Sequence, residues 1–167
     1  MEVCLSLGSN LGDRLASLQS CRDQLDRHPH ISVTSQSAVY ETDPVDVPEE
    51  FAHLSFLNTI VLIDTTLPLI ELFKHMKVLE NDMSDGQPHD GNAPRPLDID
   101  LIYAEGVSHE SSTLTLPHPR AHARRFVLEP LAELRSDMPF PGMTATVHDL
   151  LSSLPAKPGL SKLTEAW

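Results

Sequence analysis

Two aspartates one residue apart, Asp98 and Asp100, have the clearest chemical potential in this sequence of 167 residues. They sit in Pro94-Arg95-Pro96-Leu97-Asp98-Ile99-Asp100-Leu101. On a β-strand, residues i and i+2 share a face. The two carboxylates then project side by side with Cβ atoms roughly 6–7 Å apart, and Leu97, Ile99 and Leu101 turn toward a core. Hard oxygen ligands in this arrangement suit Mg²⁺, which usually takes one or two carboxylates together with phosphate oxygens. Carboxylates this close repel unless a cation lies between them. A solvated acidic strand face is the competing reading, and the neighbouring Arg95 weighs against it.

A second group follows in Leu116-Pro117-His118-Pro119-Arg120, then His122, Arg124, Arg125 and Phe126. Guanidinium groups engage polyphosphates through forked hydrogen bonds, although arginines on a helix can also simply balance an acidic surface. His118 and His122 have an i, i+4 spacing that zinc can use, but no H-E-x-x-H is present and Pro119 intervenes. Gly8-Ser9-Asn10-Leu11-Gly12 lacks the lysine of a phosphate-binding loop and reads as a strand-to-helix turn. Tyr40-Glu41-Thr42-Asp43-Pro44-Val45 reads as a strand running into a loop. Ser9 has no placed His/Asp partner for nucleophilic catalysis, and Cys4 and Cys21 read as structural.

The elements that must position these groups follow from periodicity. Val3, Leu5 and Leu7 alternate as a first strand. Ser9 or Asn10 is expected to cap a helix carrying Leu11, Leu15, Leu18 and Leu25, which His28-Pro29-His30 ends. Residues 31–42 read as a second strand, residues 43–50 as an acidic loop and residues 56–65 as a third strand. Thr66 is expected to cap a second helix, with Pro68 in its first turn and Leu69, Ile70, Phe73, Met76 and Leu79 as its apolar stripe. Residues 81–96 read as a long irregular segment of the kind that is often functional.

A fourth strand covers 97–103, with a short extended piece near Leu114 and Leu116. Residues 120–134 read as helical, broken at Pro130. Residues 147–154 form a short helix before a tail containing Pro and Gly. The order β-α-β-β-α-β is that of a ferredoxin-like split βαβ unit. The expected class is α+β, with a mainly antiparallel sheet, helices on one face, a C-terminal helical extension and one domain over 1–167.

Composition limits the ligand class. Twelve Lys and Arg against 24 Asp and Glu give a formal charge of −12. Nonspecific nucleic-acid binding draws on cationic neutralisation of phosphates, so neither nucleic acid nor an anionic membrane is the expected partner. The apolar run from Leu54 to Ile70 is interrupted by Asn58, Asp64 and Pro68, and no transmembrane helix is expected. Met1-Glu2-Val3 lacks the cationic start of a signal peptide. With two cysteines and no disulfide framework, the expected compartment is the cytoplasm, and the expected state is a monomer.

Taken together, the ordered motifs resemble the 6-hydroxymethyl-7,8-dihydropterin pyrophosphokinase family. They are Leu7-Gly8-Ser9-Asn10-Leu11-Gly12-Asp13-Arg14, Tyr40 to Val45, Phe56-Leu57-Asn58, Glu80, Pro94 to Leu101, and Leu116 to Phe126. The resemblance covers about residues 3 to 140. It implies transfer of pyrophosphate from ATP to the pterin hydroxymethyl group, with release of AMP and two Mg²⁺ ions at the phosphates. Asp98 and Asp100 are the implied metal ligands, and Arg95 the implied phosphate contact. Lys77, Glu80, Leu101, Thr115, His118 and Arg124 are the implied nucleotide contacts. Thr42, Asp43 and Val45 are implied at the pterin edge, Asn58 as its hydrogen-bonding partner, and Phe56 and Phe126 as the residues flanking its ring. A flat polar heterocycle needs such faces and in-plane partners.

The sequence departs from the family in residues 81–94. The family arginine there aligns with Asp85 or Gln87, the family Trp-Gly is Asn92-Ala93, and another frequent arginine is Thr113. Between Lys77 and Arg120 the only Lys or Arg is Arg95. Two readings follow: an active pyrophosphokinase with a divergent loop, or a paralogue that binds pterin or nucleotide with little or no transfer.

Overall fold

A computed structural model describes residues 1–44, 48–84, 93–156 and 159–167. The described residues form strands β1 (Glu2–Ser9), β2 (Ile31–Gln36), β3 (Val39–Thr42), β4 (Phe56–Thr65), β5 (Asp98–Ala104), β6 (His109–Glu110), β7 (Thr115–Leu116) and β8 (Leu160–Thr164). The helices are α1 (Arg14–Arg27), α2 (Leu69–Met83), α3 (Arg125–Arg135) and α4 (Val147–Ser153). The main sheet runs β5-β1-β4-β3-β8, with β2 also paired to β4, and β6 and β7 form a separate hairpin. All of these pairings are antiparallel. This is the expected split βαβ order, with β1 and β4 central.

Helices cover both faces of the sheet rather than one. Val3, Leu5 and Leu7 of β1 pack with Leu18, Cys21 and Leu25 of α1 and with Leu72, Met76 and Leu79 of α2. On the opposite face Cys4, Ile60, Leu62 and Ile102 pack with Val127, Leu128 and Leu131 of α3 and Val147 of α4. The reason is legible in β4, where Ile60, Val61, Leu62 and Ile63 are all fully buried. A strand apolar at both parities needs a cover on each side. Each such side chain contributes about 1.5–3 kcal/mol.

Several local expectations are corrected. Residues 31–42 form two strands, because Ser37 and Ala38 leave the ladder: the Ser37 hydroxyl accepts from Ile60 N at 3.0 Å, and Ala38 N donates to Glu133 at 2.8 Å. The cap of α1 is Asp13, whose carboxylate accepts from Ala16 N at 3.1 Å. Asn10 is unavailable for that role because its side-chain oxygen accepts from Arg95 N at 2.8 Å, and Ser9 still belongs to β1. Gly12, at φ +69°, makes the turn between them. Thr66 does not cap α2; its hydroxyl meets His30 Nδ1 at 3.2 Å, and Pro68 is the N-cap.

Further along, α2 extends to Met83, into the segment expected to be irregular. Within that segment, residues 85–92, which include Asp85, Gln87 and Asn92, lie outside the described residues. Pro130 does not break α3, which runs through it with Val127, Leu128, Pro130 and Leu131 buried. A missing N–H costs that turn one hydrogen bond, and packing on the sheet outweighs it. The expected tail forms β8 instead. Among the described residues no helix is long and apolar enough to cross a membrane.

Candidate active site

The residues singled out for chemistry converge at one end of the sheet, where β1 and β3 finish and β4 and β5 begin. Asp98 pairs across from Gly8, Gly8 from Asn58, and Asn58 from Tyr40. Directly opposed residues share a face, so these four form one row. Asp100 lies opposite Ser6 in the next row. On the other face Leu97, Ile99 and Leu101 are 1%, 1% and 3% exposed, as the alternation predicted. Gly8 keeps the row open: a Cβ there would come within 3.3 Å of Asn58 Oδ1 and 3.8 Å of Asp98 Cβ.

Each aspartate meets an arginine. Arg95 Nη1 lies 3.1 Å from Asp98 Oδ1, and Arg124 Nη1 lies 3.7 Å from Asp100 Oδ2. Arg95 is held by its backbone, because Asn10 N donates to Arg95 O at 3.2 Å while Arg95 N donates to Asn10 Oδ1. Arg124 stands at the N-cap of α3 and lies over the Phe126 ring at 5.4 Å from its centroid. Burial, and then the Asp100 charge, push the Asp98 carboxyl up to about 6, against the opposing pull of Arg95. A carboxyl in this condition gains from an added cation. Among the described residues no group of three or more His, Cys, Asp or Glu could hold a metal by itself. The donor set of two carboxylates therefore fits Mg²⁺ completed by phosphate oxygens.

A cleft of about 270 Å³ opens beside β5, between α2 and the β6–β7 hairpin. Lys77, Asp100, Leu101, Thr115 and His118 line it, as do Phe73 and the hydroxyl residues Ser111, Ser112 and Thr113. His118 N donates to Ile102 O at 2.7 Å, and its Nδ1 accepts from Arg120 N at 3.2 Å. Nδ1 is thereby the acceptor nitrogen and Nε2 carries the proton. Burial lowers the His118 pKa although Asp100 opposes the shift, which favours the neutral ring. His122 lies in a 3-10 turn (Ala121–Ala123) rather than on one α-helix with His118.

Glu80 has a supporting position. Its carboxylate accepts from Ile99 N at 2.7 Å and lies 2.6 Å from Lys77 Nζ. It thus pins edge strand β5 to α2 and aims Lys77 at the cleft.

The residues expected at the pterin gather on β4 and β3, two and three strands away from β5. Asn58 is buried and donates from Nδ2 to Thr42 Oγ1 at 2.8 Å. Phe56 lies opposite Thr42, and Asp43 is exposed at the strand end. Phe126 packs against the core on the α3 side. Val45 lies outside the described residues.

Two supports escaped the sequence reading. Arg14 donates to Ser55 O and Oγ at 2.9 and 2.8 Å and meets Glu41 at 2.8 Å, tying the start of α1 to the ends of β3 and β4. Glu133 of α3 accepts from Tyr40 OH at 2.6 Å and meets Lys162 at 2.5 Å. Arg14 and Glu41 were visible within motifs, but no spacing rule joins residues so far apart in sequence.

Comparison with known proteins shows the family. A family model described as 7,8-dihydro-6-hydroxymethylpterin-pyrophosphokinase (HPPK) matches residues 4–136. The chain is 37% identical over 131 residues to the 2-amino-4-hydroxy-6-hydroxymethyldihydropteridine pyrophosphokinase of Bacillus subtilis, covering 78% of this chain and 75% of that one. It is 38% identical over 135 residues to the mitochondrial folate synthesis bifunctional protein of Pisum sativum, covering 80% of this chain and 25% of that protein. Among solved structures, an HPPK-DHPS in complex with substrates superposes with a TM-score of 0.68 at 11% identity, over 91% of this chain and 43% of that one. Wild-type Plasmodium falciparum HPPK-DHPS gives 0.66 at 13% identity, over 90% and 40%. These two structures speak for the fold.

Proposed function

Since the chain belongs to the 7,8-dihydro-6-hydroxymethylpterin-pyrophosphokinase family, we propose that the end of its sheet divides into a phosphate half at Asp98 and Asp100 and a pterin half at Thr42 and Asn58. The protein is an ATP-dependent pyrophosphokinase of folate synthesis. It transfers pyrophosphate from ATP to the hydroxymethyl group of 6-hydroxymethyl-7,8-dihydropterin and releases AMP. A transfer that leaves AMP forms a bond between the hydroxymethyl oxygen and the β-phosphorus. It breaks the bond from that phosphorus to the bridging oxygen on the α-side.

The observation that carries the assignment of residues is the row Asp98–Gly8–Asn58, which sets a carboxylate and a buried amide on adjacent strands. In this reading Lys77, Leu101, Thr115 and His118 hold the nucleotide in the cleft. Arg95 and Arg124 orient the phosphates with forked donors, and His118 Nε2–H donates to them as a neutral group. Asp98 and Asp100 would hold Mg²⁺, two ions in our reading, whose charge offsets that of the phosphates. Thr42, Asp43 and Val45 border the pterin edge, Asn58 hydrogen-bonds in its plane, and Phe56 and Phe126 flank its faces. Phosphoryl-type transfer depends on positioning and charge neutralisation more than on a protein nucleophile. The two free buried thiols, Cys4 and Cys21, support a cytoplasmic setting.

The test is AMP release by the purified protein with ATP, Mg²⁺ and 6-hydroxymethyl-7,8-dihydropterin. AMP that appears only with the pterin is the expected result. Pterin binding by calorimetry without pterin-dependent AMP would overturn it in favour of a binding paralogue.

A further inference from the structure

Residues 159–167 lie outside the family-matched region, 4–136, yet they pair with β3 along its whole length. We propose that this segment is the positioning element for that half, holding β3 where Thr42 and Asp43 meet the pterin. The proposal rests on the reading of Thr42 and Asn58 given above.

The segment grips β3 at three places. At the site end, Leu160 pairs with Thr42, and Gly159 approaches the Asp43 carboxylate, its Cβ position falling 3.9 Å from Oδ2. In the middle, Lys162 pairs with Tyr40, which extends the row that holds Asn58 and Asp98. Lys162 Nζ meets Glu133 at 2.5 Å and lies 5.8 Å from the centre of the Tyr40 ring. Glu133 in turn accepts from Tyr40 OH and Ala38 N. At the far end Trp167 is 8% exposed. Its indole N–H donates to Ser37 O at 2.8 Å, and its carbonyl oxygen accepts from Gln36 Nε2 at 3.1 Å and from Arg22. These bonds fix the break between β2 and β3.

Without this segment β3 would be an edge strand of four residues, paired to β4 only at Tyr40, Glu41 and Thr42. A short edge strand has unpaired backbone groups and little to set its position. The phosphate half stands apart from this dependence, because β5 is at the opposite edge of the sheet with β1 and β4 between. A positioning role therefore predicts a selective effect on the pterin, where a purely structural role predicts a general one.

The experiment compares Lys162→Met, Lys162→Arg, Trp167→Ala and Asn58→Ala by kcat, by KM for the pterin and by KM for ATP. Lys162→Met and Trp167→Ala are expected to raise the pterin KM about fivefold or more while the ATP KM stays within about twofold. Lys162→Arg is expected to restore the pterin KM. Equal shifts in both KM values would overturn the proposal, as would an unchanged pterin KM in Lys162→Met when Asn58→Ala raises it. An unchanged pterin KM in Asn58→Ala would instead remove the pterin reading itself, and the proposal with it. Should Trp167→Ala not fold, Lys162→Met and Lys162→Arg decide the matter.

Discussion

Arg95 Nη1 lies 3.1 Å from Asp98 Oδ1, so the cation proposed for the phosphates and the carboxylate proposed for the metal form a pair within the protein itself. Arg124 stands in the same relation to Asp100 at 3.7 Å. Each carboxylate thus has a cation beside it.

Asp98→Asn keeps the size of the side chain and removes its charge. Turnover is expected to fall by at least about 10², comparable to losing one stabilising group at a site of developing charge. AMP release measures the loss. Calorimetry with a non-hydrolysable ATP analogue, with Mg²⁺ and with a chelator, shows whether the metal dependence of binding disappears with it. Retained Mg²⁺ dependence would remove Asp98 from the ligand set.

The raised pKa of Asp98 has a definite sign. Burial and the Asp100 charge lift it from an ordinary 3.8 to about 6. Between about pH 3.8 and 6 the ligand-free fold therefore holds a proton here that the unfolded chain has lost. That contribution to stability is complete below pH 3.8 and is lost as pH rises through about 6. Metal binding needs the carboxylate. Affinity for Mg²⁺-nucleotide is expected to weaken as pH falls below about 6, by about tenfold per unit at most. Calorimetry in buffers of different ionisation enthalpy should show proton release on binding at pH 5.5 that vanishes in Asp98→Asn.

Gly8→Ala tests the closeness of the strands at the site. The added methyl would lie 3.3 Å from Asn58 Oδ1, so the amide must move by a few tenths of an ångström. The pterin KM is expected to rise several-fold while the melting temperature changes by only a few degrees. An unaltered pterin KM would show that the exact placement of Asn58 is unimportant.

Glu133 supplies an acid-side prediction. Burial pushes its carboxyl up, but Lys162, Tyr40 OH and Ala38 N–H together hold it below its ordinary 4.5. The stability it contributes is present above pH 4.5 and is lost as pH falls through its lowered folded value. Glu133→Gln is expected to cost about 1 kcal/mol near pH 7, a modest figure because the side chain is partly solvated. The deficit should shrink toward pH 3, as urea unfolding can measure.

Much of the site was legible because its parts are local in sequence. The alternation Leu97-Asp98-Ile99-Asp100-Leu101 dictates which side chains share a face in any strand, and the strand is there. Helices α1 and α2 follow from apolar periodicity in the same way. Errors arose where a group had a distant competitor. Asn10 was expected to cap α1 but accepts from Arg95 N, and Asp13 caps it instead. The tail after α4 shows no strong alternation, yet it becomes β8 because β3 has an edge to pair.

The sequence by itself determined the order of elements, the paired carboxylates and the family motifs, all of which depend on neighbours a few residues apart. Tertiary structure alone decided that Gly8 would bring Asn58 and Asp98 into one row and that α3 would cover the second face. It also decided that Lys162 and Trp167 would secure β3 and the break before it. Those relationships join residues on separate strands and helices, and only register and packing bring such residues together.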